Sequence, residues 1–335
     1  MTNTNNSDPK TFGDWAYLAL RKHFQKTNKH ESDVLKDKDP EALHQMRVGM
    51  RRLRTAVTGF APAIDLPKAA QEKNIGKIAR RLGELRDIDV LQDALKNHYL
   101  PALPSQEQGT LNKVLSTLEK QRQKSLEQVQ TTLKDQPYPK LKRAFKDWLE
   151  KPTYGELAKV SIYEILPDLL LPSVSKLFLS PAWLVGVKLE AGEVEIPNAL
   201  NSEIVIQLLN THGDIVHELR KQAKRVRYQM ELFTDFYSST YEGYLNDIKE
   251  IQKILGQIQD SFVLAGFLTN TLNSDISVQL PTLAAELTEA RYQAWQEWQP
   301  FQQRYLNPEV RKDFHLALLQ PASTTLIKTS NYVEQ

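Results

Sequence analysis

Apolar positions along the chain recur mostly at three- and four-residue intervals, the period of an amphipathic helix. The pattern predicts a first helix over residues 12–36 and a second over 40–60, opened by Pro40 and an early Glu41. A third is expected over 67–100, stopped by Pro101, and a fourth over 106–150. In the fourth, Leu111, Val114, Leu115, Leu118, Leu126, Val129 and Leu133 fall on one face. Proline and glycine thicken between Pro152 and Pro197, which reads as a domain junction. Residues 185–196 resemble a small β-hairpin turning at Ala191-Gly192. Helical periodicity returns over 203–237, 240–272 and 281–306, and the tail after Pro321 is expected to fray. The apolar stretch 162–187 receives no assignment.

A second regularity lies on top of the first. The segment HQMRVGMRRLR starting at His44 is matched by HELRKQAKRVR starting at His217. His44, Arg47, Arg51, Arg52 and Arg54 correspond to His217, Arg220, Lys224, Arg225 and Arg227. Further on, LGELRDIDVL from Leu82 matches LGQIQDSFVL from Leu255. The spacing from His44 to Gly83 is 39 residues, and so is that from His217 to Gly256. Two motifs matched in one register mark an internal duplication.

At about 100° per residue, His44, Arg47, Arg51 and Arg54 fall within an arc of roughly 80° on a helix. His217, Arg220, Lys224 and Arg227 repeat that stripe, each copy running about 15 Å along its axis. Arg52 and Arg225 sit to one side and widen the basic surface. No carboxylate lies between His44 and Arg54, and Glu218 and Glu231 only flank the second stripe. Stacked like charges repel and destabilise a helix, so an arrangement kept twice points to an anion that satisfies it. Arginine offers planar, multi-donor contacts that suit phosphate, and histidine can add a donor or pack against the bundle seam. Arg80 and Lys253, aligned one turn before the repeated glycine, are further candidate phosphate contacts. Gly83 and Gly256 would let another helix approach closely. Asp87 and Asp260 could anchor neighbouring arginines or be ordinary surface residues.

Composition narrows the chemistry. Net charge is only +2 over 335 residues, so the local distribution of cations carries the argument rather than the total. Cysteine is absent, which removes disulfides, thiolate catalysis and Cys-ligated metal sites. The polar start MTNTNNSDPK lacks the apolar core of a secretory signal, and no run of about 20 apolar residues occurs. A soluble, cytoplasmic protein is expected.

The pattern His-x-x-Arg-x-x-x-Arg-Arg-x-Arg followed by Leu-Gly-x-x-Arg-Asp-x-Asp-Val resembles the CHAD domain, a helical domain named for its conserved histidine. The resemblance spans residues 12–320. It implies two four-helix bundles related by pseudo-twofold symmetry, 12–150 and 151–320. Basic helices would line a central channel that binds inorganic polyphosphate. On that resemblance the stripe residues of both copies would line the channel; polyphosphate granules are one candidate partner, with granule targeting, scaffolding and regulation left open as the biological role. The second copy departs at Gln259 and Phe262, where the first has Arg86 and Asp89, which breaks the symmetry of any role for Arg86.

Other chemistries find less support. A triphosphate tunnel hydrolase would show Glu-x-Glu-x-Lys, but here Glu193-Val194-Glu195 is followed by Pro197. GxxxxGK[ST] and GxSxG motifs are absent. A metal at His44 and His217 would face the repulsion of the surrounding cations, and no carboxylate stands at helical spacing to orient either ring for catalysis. No cofactor is expected. Nucleic acid is the main rival ligand, since phosphate contacts alone do not separate it from polyphosphate. The neighbours Met46, Val48, Met50 and Leu53 look like core rather than base-stacking residues.

Overall fold

The computed structural model describes residues 9–197 and 200–322. The polar start and most of the tail after Pro321 lie outside the described residues. What is described is all-α apart from one short hairpin. The chain divides into two compact units. One takes in the residues up to Pro101 and Leu115–Ile165, the other Ala102–Val114 and the chain from Leu166 onward.

In the first unit, α1 (Phe12–Lys29) begins at Thr11, whose side chain accepts the Asp14 N–H while Asp14 reaches back to the Thr11 N–H. The expected single helix over 12–36 is interrupted at His30, whose N–H turns back to the Asn28 carbonyl. A short α2 (Glu31–Lys36) follows, closed by Asp37 in a left-handed conformation. Helix α3 (Pro40–Gly59) has the predicted bounds, with Asp39 accepting the Glu41 N–H at 2.8 Å. Helix α4 (Glu72–Asp93) begins later than expected and runs on through a widened turn to Tyr99. The predicted fourth helix is two helices, α5 (Ser105–Lys134) and α6 (Tyr138–Glu150). Pro137 between them offers no N–H to continue the ladder, and Pro139 suits a first turn. Of the expected α5 face, Leu111, Val114, Leu118, Leu126, Val129 and Leu133 are buried.

Helix α3 is the centre of this unit, packed between α1 and α4. Its Met46, Met50 and Leu53 are fully buried, and Val48 is half-buried. On the α1 side, a Cβ at Gly49 would lie 3.1 Å from the Thr27 backbone and 2.8 Å from its hydroxyl. The two backbones approach that closely because Gly49 has no side chain.

The stretch left unassigned is a helix, α7 (Ile162–Phe178), despite Pro167 and Pro172 within it. Its burial shows why: Ile162, Leu166, Leu170, Val174 and Leu177 form one fully buried face. Packing of that face outweighs the two lost backbone N–H donors. The hairpin is present as β1 (Lys188–Glu190) and β2 (Glu193–Glu195), antiparallel and exposed. Ala191 and Gly192 both take positive φ, as a two-residue turn of this hand requires.

The second unit is built on α8 (Ser202–Leu232), α9 (Ser239–Leu272), α10 (Ile276–Gln279), α11 (Pro281–Leu306) and α12 (Pro308–Leu319). Helix α9 packs against α8 and α11. Trp183, Trp298, Tyr305 and Phe314 fill a buried aromatic cluster around Phe178. No described helix is long and apolar enough to cross a membrane.

Candidate functional site

Each unit carries one copy of the basic stripe, and each copy rests on the same local frame. In the first unit the stripe lies on the side of α3 that meets α4. Arg47, only 26% exposed, lies over Gly83, where a Cβ would sit 3.7 Å from its Nε. Its guanidinium ends 3.7 Å from Asp87, one turn further along α4. In the second unit Arg220 on α8 lies over Gly256 of α9, with a Cβ-to-Nε separation of 3.4 Å, and ends 3.7 Å from Asp260. The repeated glycine therefore accommodates an arginine side chain, rather than a close helix backbone as the sequence suggested. Asp87 and Asp260 are arginine anchors in both copies.

The lower ends of the stripes differ. Arg54 hydrogen-bonds Glu72 at the start of α4 and lies over Gly76, whose Cβ would meet its Cζ at 3.4 Å. The offset between copies is 173 residues (217 − 44), so the counterpart of Gly76 is Lys249. There Arg227 pairs instead with Glu231 at 2.8 Å, and its Nη1 donates to Gln252 at 3.4 Å. Lys253 pairs with Glu250 at 3.1 Å, while its counterpart Arg80 is exposed. A cavity of about 530 Å³ opens between α8 and α9, lined by Arg220, Arg227, Lys249, Lys253, Gln252 and Asp260 among others. Lys249 is a basic residue of this surface that the motif comparison missed. Its spacing of four from Lys253 on one helix face was the available signal. Glu72 had no such signal, because its contact with Arg54 exists only in the tertiary fold.

Both histidines begin their stripes half-buried. Burial lowers the pKa of His44 first of all; Arg86, Arg47 and Arg51 push the same way, and Glu41, a carboxylate one turn earlier on α3 that the sequence reading overlooked, opposes them. Burial likewise leads for His217, joined by Lys221 and Arg220 and opposed by Glu218 and a hydrogen bond with Gln259. The residue pair at which the copies diverge, Arg86 and Gln259, thus acts on the repeated histidine in each. The Nδ1 of His217 and the Nε of Arg220 are buried without a hydrogen-bond partner.

The other divergent pair is structural. Asp89 accepts from Arg122 at 2.8 Å, and Arg122 forks onto both Asp37 oxygens at 2.8 Å each. Phe262, at the position of Asp89, also holds an arginine: Arg291 stacks 4.4 Å from its ring centre and donates to Ser261 at 2.7 Å. Arg51 and Lys224 are half-buried on their helices, and Arg225 is exposed. Arg52 is exposed too, and turns away from α4 toward α1, where its charge acts on His23 and Lys26. Among the described residues, no group of three or more His, Asp and Glu side chains is placed to hold a metal ion.

The arrangement presents rows of cations suited to oxyanions. Arg47 and Arg220 each lie over a glycine with an aspartate 3.7 Å away, which narrows the positions open to their guanidinium groups. A CHAD domain model matches residues 18–269 of the chain. The crystal structure of the CHAD domain from the plant Ricinus communis is 23% identical, with a TM-score of 0.57 and 92% of each chain covered. PptA from Streptomyces chartreusis is 13% identical, with a TM-score of 0.63, over 88% of this chain and 100% of that one. At these identities the likeness is one of fold. No curated protein matches the chain.

Proposed function

Because the chain belongs to the CHAD domain family, we propose that it is a non-catalytic binder of inorganic polyphosphate, held through the two basic stripes. His44, Arg47, Arg51, Arg52, Arg54 and Arg80, with His217, Arg220, Lys224, Arg225, Arg227 and Lys253, are the proposed contacts. The observation that carries the reading is the repetition of a whole frame: an arginine laid over a glycine and tethered to an aspartate at 3.7 Å, once in each unit. A lone surface ion pair contributes little to stability, so duplication of this one is better explained by what the arginine head does for a ligand.

In this reading residues 12–150 and 151–320 are two pseudo-twofold-related bundles of one CHAD domain, and the stripes share a central channel along which one polyphosphate chain threads. The protein acts in the cytoplasm, where polyphosphate granules present the ligand at high local density. Nucleic acid is the second reading, favoured by the phosphate chemistry alone. Against it stands the setting of the first stripe, which offers buried Met46, Met50 and Leu53 rather than stacking rings; in the second, Tyr228 lies beside Arg227.

The test is charge reversal. Arg51→Glu with Lys224→Glu should weaken binding of long-chain polyphosphate at least tenfold, against little change for Lys120→Glu with Lys124→Glu on exposed α5 positions. Equal losses would assign binding to general surface charge. Duplex DNA and RNA should fail to displace polyphosphate at equal phosphate concentration, and efficient displacement would favour the second reading.

A further inference from the structure

A helix outside the repeated motif, α1, also carries an acid-free basic row. Between Asp14 and Glu31 the chain carries Arg21, Lys22, Lys26 and Lys29 and no carboxylate. At about 100° per residue Lys22, Lys26 and Lys29 fall within roughly 60° of one another on α1. Lys22 and Lys29 are exposed and Lys26 half-exposed. The row spans about 10 Å at 1.5 Å per residue.

Tertiary packing adds a fourth cation. The close approach of α1 and α3 at Thr27 and Gly49 brings Arg52 beside this row. The charges that act most strongly on Lys26 are positive: Arg52, Lys22 and Lys29. Those acting on His23 are Arg52, Lys22 and Lys26. The Nδ1 of His23 is buried without a hydrogen-bond partner beneath this surface. Arg52 and the stripe residue Arg51 are consecutive on α3, so the two basic surfaces of this unit meet on one helix. Polar Gln25 and Asn28 flank the α1 row, with no exposed aromatic ring among its members on which a base could stack.

We propose that Lys22, Lys26, Lys29 and Arg52 form a second phosphate-binding surface that carries a long polyphosphate chain from the α3 stripe onto α1. Lysine suits this role, because its point charge imposes no bidentate geometry on a flexible strand. The inference rests on the polyphosphate reading above and adds a preference for long chains to it.

The experiment compares wild-type protein with the variant Lys22→Gln/Lys26→Gln/Lys29→Gln and a matched control, Lys120→Gln/Lys124→Gln/Lys134→Gln, on exposed α5 sites. Affinity for long-chain polyphosphate and for tripolyphosphate is measured over a salt series, with thermal melting to verify folding. At ~0.7 per phosphate contact on a flexible strand, three lost contacts should flatten the log–log salt slope by about 2 for the long chain. Tripolyphosphate, shorter than one stripe, should bind the variant as it binds wild type, and the control should match wild type on both. An unchanged long-chain slope overturns the inference, as does an equal loss with tripolyphosphate or with the control. The stripe reading stands or falls separately, on Arg51→Glu/Lys224→Glu. A variant that melts early is replaced by Lys22→Gln/Lys29→Gln, both at exposed sites, for which about two-thirds of that slope change is expected.

Discussion

At the scale of single residues, the histidines that open each stripe are held below their usual pKa of 6.5, chiefly by burial, and so are neutral at pH 7. A bound polyanion favours the protonated ring, so phosphate contact would draw in a proton. Binding should therefore tighten as pH falls toward the lowered titration range of these rings. His44→Gln/His217→Gln should flatten that part of the profile in a pH-resolved titration; a wild-type profile already flat would assign both rings to packing. His23 responds differently, through stability. Burial foremost, then Arg52, lowers its pKa to about 4. The unfolded state takes up the proton first as pH falls, so this contribution to stability is complete above 6.5 and is lost between 6.5 and about 4. Denaturation midpoints should drop across that window by less in His23→Gln than in wild type. An identical drop would show that other groups control the acid limb.

Helix by helix, the glycines divide into two kinds. Gly49 meets backbone: an alanine there would press on Thr27, whose hydroxyl is fixed by a 2.8 Å hydrogen bond to the His23 carbonyl. Gly83 meets only the Arg47 side chain at an ordinary 3.7 Å. Gly49→Ala should thus destabilise by about 1–3 kcal/mol through overpacking. Gly83→Ala should be neutral or stabilise by up to ~1 kcal/mol through helix propensity. Chemical denaturation of the two variants checks the contrast, and equal effects would refute it. How much of these helices was legible also varied by element. The bounds of α3, α9 and α11 follow from periodicity and their prolines or caps. Helix α7 did not, because Pro167 and Pro172 are strong local stop signals and only the buried row from Ile162 to Leu177 overrides them. The break before α6 was missed for the opposite reason: the apolar period runs on through Pro137 while the backbone cannot.

For the whole molecule, binding should be governed by counterion release. Long-chain polyphosphate affinity should fall steeply with salt, at ~0.7 in log–log slope for each phosphate contact. Arg51→Glu/Lys224→Glu should make the slope shallower as well as weakening the affinity. Affinity that holds constant from low to moderate salt would exclude a charge-based mechanism.

By itself the sequence determined the helical class, the repeated motif and the identity of its cations. All three are written in spacing: period 3.6 along each helix, and 173 residues between copies. Tertiary structure decided which groups those cations meet. The sequence showed stripes with no acid inside them; folding brings Glu72, Asp87 and Asp260 to their arginines from a neighbouring helix. It also parts Arg52 from the residues beside it in the motif and sets it against α1. The physical reason is that helical spacing specifies a face, whereas a partner across a helix interface depends on the crossing: Gly49 lets α1 and α3 approach, while Gly83 and Gly256 leave room for the arginines laid over them.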